Sequence, residues 1–140
     1  MQIKKTDQFY VVHLQKGDEV IASLRKFAED NNISAAHING IGTTSAIELG
    51  FFDKEVKEYQ TVQFEEDMEM LSVTGSISRF GQDFVVHLHG VFSDDEFTTY
   101  GGHVISATIL ATGEFFIFTS NAVIERKPEP EFKLNLFNLE

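Results

Sequence analysis

Phe84-Val85-Val86-His87-Leu88-His89-Gly90-Val91-Phe92 carries the pattern from which the fold class follows. Its Val and Phe content and its lack of a 3.6-residue apolar period mark a β-strand. Turn-forming residues bound it on both sides, Phe80-Gly81-Gln82 before and Ser93-Asp94-Asp95 after. The strand-like run His103–Leu110 follows soon after. Strands joined this closely must be antiparallel neighbours, because a parallel pair needs a crossover of about a dozen residues.

The same pattern extends outward. Phe9–Leu14, Ala35–Asn39, Ala46–Phe52, Glu69–Ile77, Glu114–Ser120 and Ala122–Glu125 are rich in Val, Ile, Phe and Thr. Gly40-Ile41-Gly42, Asp53-Lys54-Glu55 and Ala111-Thr112-Gly113 read as the turns between them. One segment has the other period. Val20, Ile21, Leu24, Phe27 and Ala28 recur on one helical face, which predicts a helix over about 18–30, capped by Asp18 and ended by Asn31-Asn32. The expected fold is therefore α+β, a curved, mostly antiparallel mixed sheet with one main helix packed on it.

At 140 residues the chain reads as a single domain, with a core over about 8–126 and a C-terminal extension over 127–140. Pro128-Glu129-Pro130 separates the two, and Phe132-Lys133-Leu134-Asn135-Leu136-Phe137 then alternates loosely between apolar and polar. That alternation suits an edge strand, on its own sheet or on a neighbouring subunit's; a frayed terminus is the other reading.

Composition excludes several functions. There is no cysteine, which removes disulfides, thiolate-held zinc, iron–sulfur clusters and thiol nucleophiles together. Its absence, with no membrane-length apolar run and no signal-peptide core in Met1–Asp7, leads us to expect a cytoplasmic protein. Acidic residues outnumber basic ones 22 to 11, a net charge of −11. Phosphate contacts from Lys and Arg supply most non-specific affinity for nucleic acid, so direct binding to a duplex or to an anionic membrane is not expected.

The strongest chemical signal is histidine. His87 and His89 lie two apart on a strand, so both project from one face, about 6–7 Å apart at the backbone. Return of the chain through Ser93–Tyr100 brings His103 opposite His89. A His-x-His pair with a third histidine on the neighbouring strand is the donor set of three-histidine zinc sites that keep a position open. Zinc is the expected ion, and other divalent transition metals accept the same donors. The competing reading for each histidine is a hydrogen-bonded core residue, and His13 and His37, alone in separate strands, take that reading.

Other motifs carry less. Gly40-Ile41-Gly42 follows a strand, but Ser45 stands where a dinucleotide fingerprint needs its third glycine, so a tight strand-to-strand turn is expected there. Glu65-Glu66-Asp67 and Asp94-Asp95-Glu96 read as solvated turns, with Asp94 or Asp95 placed to orient an imidazole from behind. Phe51-Phe52 and Phe115-Phe116-Ile117-Phe118 put aromatics on both faces of their strands, which one helix cannot cover. A second subunit would.

Taken in order, Ala35-Ala36-His37-Ile38-Asn39-Gly40-Ile41-Gly42, Leu49-Gly50-Phe51-Phe52-Asp53, Leu71-Ser72-Val73-Thr74-Gly75, His87-Leu88-His89 and Gly101-Gly102-His103 closely resemble the plants and prokaryotes conserved (PPC) domain family. The resemblance spans about residues 8–126. It implies an α+β fold and a homotrimer. Plant members add an AT-hook that grips DNA, and prokaryotic members are called DNA-binding by analogy; no Arg-Gly-Arg-Pro core occurs here, so this chain is similar to the stand-alone prokaryotic type. The plant partner-binding segment Gly-Arg-Phe-Glu-Ile-Leu aligns with Glu66-Asp67-Met68-Glu69-Met70-Leu71, where the basic residue has become acidic. The family's fold also resembles that of acetolactate decarboxylase, in which histidines hold zinc. The combined expectation is a homotrimer with a His87–His89–His103 metal site open to a small-molecule ligand, and the alternative is a DNA-associated regulatory protein.

Overall fold

The computed structural model describes residues 1–140. Nine strands and one helix run in the order β1 (Gln2–Lys5), β2 (Tyr10–Gln15), α1 (Val20–Asn31), β3 (Ala36–Asp53), β4 (Glu58–Phe64), β5 (Met68–Phe80), β6 (Asp83–Ser93), β7 (Thr99–Thr119), β8 (Glu125–Glu129) and β9 (Leu134–Asn138). All strands belong to one sheet, and every pairing but one is antiparallel. The α+β reading holds.

Curvature closes part of this sheet on itself. β3 is bonded to both β5 and β7, and β6 is bonded to the same two strands, so β3, β5, β6 and β7 form a ring. Side chains facing inward build the core, with Ile38, Ile77, Leu88, Phe92, Phe115 and Ile117 wholly buried. The outward faces of β5 and β6 stay accessible, and the histidines lie there.

The helix is the one crossover. β2 and β3 both run antiparallel to β7, which lies between them, so they are parallel to each other and α1 makes the connection. Val20, Leu24, Phe27 and Ala28 turn inward and are fully buried, each large apolar side chain contributing about 1.5–3 kcal/mol. Asn32 ends the helix in the left-handed conformation, as expected, at φ 50°. The N-cap differs from expectation. Glu19, not Asp18, caps the helix, its carboxylate accepting from the Ile21 and Ala22 N–H groups and from Ala107 N–H of β7. Asp18 instead accepts from Gln15 N–H and pairs with the N-terminal ammonium.

Five strands also depart from the sequence reading. Ala35–Asn39 and Ala46–Phe52 are two halves of one strand, β3, and Gly40-Ile41-Gly42 is a bulge inside it rather than a turn. A Cβ at Gly42 would collide with the Thr112 carbonyl, so glycine here allows two backbones to approach and bend without reversing. His103–Leu110 and Glu114–Ser120 likewise belong to one strand, β7, which passes straight through Ala111-Thr112-Gly113. β1 and β4 escaped the sequence reading because their side chains are almost all exposed and carry no burial pattern. The expected strand Ala122–Glu125 is displaced: β8 begins at Glu125 and runs through Pro128, tolerated because this hairpin with β9 lies at the sheet edge. The extension therefore adds its edge strand to its own sheet.

Candidate metal centre

Alternation along β6 sets the site. Leu88 points into the core with no exposure, which turns His87 and His89 together onto the outer face. His103 lies directly opposite His89 in the β6–β7 ladder, and Ser76 and Thr74 of β5 lie opposite His87 and His89. Gly75 faces Leu88 between them; a Cβ there would collide with the His87 carbonyl, so the close packing of β5 on the histidine strand requires glycine.

The three imidazoles converge. Their ring centroids are 5.1 Å (His87–His89), 5.0 Å (His87–His103) and 5.4 Å (His89–His103) apart, and one ligand nitrogen from each lies within 4.8 Å of the others. Tyr59 of β4 stacks on His103 at 4.8 Å and is itself met edge-on by Phe52, which walls the cluster on one side.

Burial disfavours charge at two of the three imidazoles. Burial pushes the His87 imidazole down to about 4, helped by the neighbouring charges of His103, Arg126 and His89. Burial, then His89, lowers His103 as well. The neutral imidazole is the form that binds a metal. His103 Nδ1 is buried with no hydrogen-bond partner, a group that costs about 1–3 kcal/mol to leave unmet. Three imidazole nitrogen donors, with one buried ring nitrogen left without a partner, fit a divalent transition metal such as zinc, and without thiolate or carboxylate in the set they do not fit calcium or magnesium.

Other candidates fall outside. Asp94 accepts from Glu96 N–H, Thr98 N–H and the Tyr100 hydroxyl, closing the β6–β7 turn on itself. That turn is four residue pairs from His89, about 13 Å along the ladder, so the expected carboxylate behind an imidazole is not there. His13 bonds the Thr112 hydroxyl and His37 stacks on Phe118, both apart from the cluster. Sequence reasoning missed Tyr59 and Arg126. Tyr59 arrives on the edge strand β4 and Arg126 on the β8–β9 hairpin, and neither has a local motif that announces its place.

An open-faced three-histidine cluster on a partly closed, helix-backed sheet defines a class of small α+β proteins with a candidate metal site. More particularly, the chain belongs to the Plants and Prokaryotes Conserved (PCC) domain family, whose model matches residues 1–121. Among solved structures it is similar to a protein from Bacteroides thetaiotaomicron provisionally named DNA-binding, at 30% identity and TM-score 0.95 over 98% of this chain and 96% of that one. A metal-containing protein from Archaeoglobus fulgidus matches at 29% identity and TM-score 0.86, over 98% and 95% of the two chains. α-Acetolactate decarboxylase from Bacillus subtilis shares the fold alone, at 15% identity and TM-score 0.56 over 87% of this chain and 57% of that one. A search of curated proteins finds no significant match.

Proposed function

We propose that this chain is a homotrimeric cytoplasmic protein that holds zinc, or another divalent transition metal, on His87, His89 and His103 and presents it to a small-molecule ligand. The observation that carries the reading is the convergence of three imidazole nitrogens within 4.8 Å on an accessible sheet face. The metal content of the Archaeoglobus relative supports it. Zinc on three imidazoles supplies Lewis acidity and lowers the pKa of a water in its open position toward about 7. Elemental analysis of purified, untagged protein after zinc loading and desalting tests the site; about one metal per chain is expected, and a metal-free chain overturns the reading.

The trimer rests on the uncovered aromatics. Phe116 and Phe118 pack on Phe9 yet remain 43% and 46% exposed, and Phe51 is 73% exposed. Side chains of this size left on a sheet face are normally covered by a partner. Light scattering coupled to gel filtration is expected to give three times the chain mass at micromolar concentration.

The relatives' DNA-binding names favour a second reading, a DNA-associated regulatory protein. Charge opposes direct contact: at −11 the chain has few cations to neutralise phosphate. Titration against A·T-rich and mixed duplexes at about 50 and 150 mM salt separates the readings, since electrostatic binding fades across that range. Micromolar affinity at the higher salt would favour the second.

A further inference from the structure

Arg126 stands out once the histidine site is drawn. Its Nε donates to the fully buried Ser78 hydroxyl at 2.7 Å, its Nη1 donates to the Asn135 carbonyl at 2.8 Å, and its guanidinium lies over the Phe137 ring at 4.5 Å. Ser78 projects from the same face of β5 as Ser76, and Ser76 is the residue opposite His87. The guanidinium is thus anchored one pleat from the cluster, about 6–7 Å along the strands.

This cation has no counter-charge. The chain carries 22 carboxylate side chains, yet none lies within ion-pair distance of Arg126, and its Nη2 has no partner in the protein. It opens on a cleft of about 360 Å³ shared with Arg25 and with Val85, which projects on the His87 face. Glu29 and Asp83 also line that cleft, but neither is bonded to an arginine. An unpaired, half-buried guanidinium one pleat from the histidines offers an anion a partner on a strongly acidic protein. A planar carboxylate matches the guanidinium fork better than any other small anion of one charge.

Resting on the metal reading above, we infer that the ligand of this site is a small carboxylic acid, its carboxylate held by Arg126 while a second oxygen of the same molecule reaches the ion on His87, His89 and His103. A four-carbon diacid is about as long as the one-pleat offset between Ser78 and Ser76. A neutral ligand leaves the guanidinium without its counter-charge.

L-Malate is the probe, with L-2-hydroxybutanoate as the same four-carbon skeleton that keeps the metal-binding hydroxy-acid end and lacks the distal carboxylate. The zinc-loaded full chain is titrated with each by calorimetry, after zinc content is measured. Malate is expected to bind at least about tenfold more tightly than hydroxybutanoate, the effect of a charge-assisted hydrogen bond. Arg126→Gln is expected to keep its zinc and lose about tenfold in malate affinity, with Arg126→Lys intermediate. If circular dichroism shows Arg126→Gln unfolded, the malate–hydroxybutanoate ratio and the lysine variant decide. Equal malate affinity in a zinc-retaining Arg126 variant, or malate no tighter than hydroxybutanoate, overturns the inference alone. A wild-type chain that holds no zinc overturns the metal reading and this inference with it.

Discussion

His89 and His103 face each other directly across the β6–β7 ladder, with ring centroids 5.4 Å apart and the rings nearly perpendicular. A direct pair on one sheet face cannot drift apart without breaking the ladder around it. The backbone therefore pre-positions two donors, and strand alternation adds His87. His89→Ala is expected to abolish metal retention, while His13→Ala, whose ring bonds Thr112, retains about one metal per chain by elemental analysis.

The metal-free protein is expected to lose stability in acid. His87 and His103 have folded-state pKa values below that of a free histidine, with His87 at about 4 against 6.5. Between those limits the unfolded chain binds more protons than the folded one, so stability falls as pH drops from about 6.5 towards 4 and is fully present above that window. Urea midpoints measured across pH 4–7 after chelation check this. His87→Gln should flatten the curve.

Gly75 should be intolerant of a side chain. A Cβ there meets the His87 carbonyl, so Gly75→Ala must displace β6 or β5. A loss of about 1–3 kcal/mol is expected from such overpacking, with weakened zinc affinity in the same variant. Denaturant unfolding and a zinc-chelator competition measure the two effects; zinc affinity at the wild-type level would separate Gly75 from the site.

Glu19→Ala tests the helix start. Its carboxylate accepts two N–H groups of the first turn and one from Ala107 of β7. Removal should cost about 0.5–2 kcal/mol for the cap, and more if the Ala107 N–H finds no water. A loss of less than a few tenths, read from the urea midpoint, would mean that the cap is redundant.

Much of this protein was legible because periodicity records burial on one face. The helix shows a 3.6-residue apolar period, and β6 shows Leu88 between two histidines. The resemblance between Gly101-Gly102-His103 after His-Leu-His and a known family pointed to the same pair of strands. Alternation fixed which face the histidines share, and the short connection fixed their partner, so the cluster was predictable from local rules alone.

Tertiary structure decided the rest. Glycine in Gly40-Ile41-Gly42 and Ala111-Thr112-Gly113 signals either a reversal or a close approach, and only the neighbouring backbones, Thr112 against Gly42, select the bend. β1 and β4 bury little side chain, so they leave no periodic trace and are held by ladder hydrogen bonds that sequence does not display. Asp94 was near the histidines in sequence but is spent on its own turn, whereas Arg126, distant in sequence, is brought near them by the β8–β9 hairpin and held there by its bond to Ser78. Local alternation determines which side chains face together along a strand. Which strands arrive from elsewhere to share that face depends on closure of the whole sheet, a property no short segment carries.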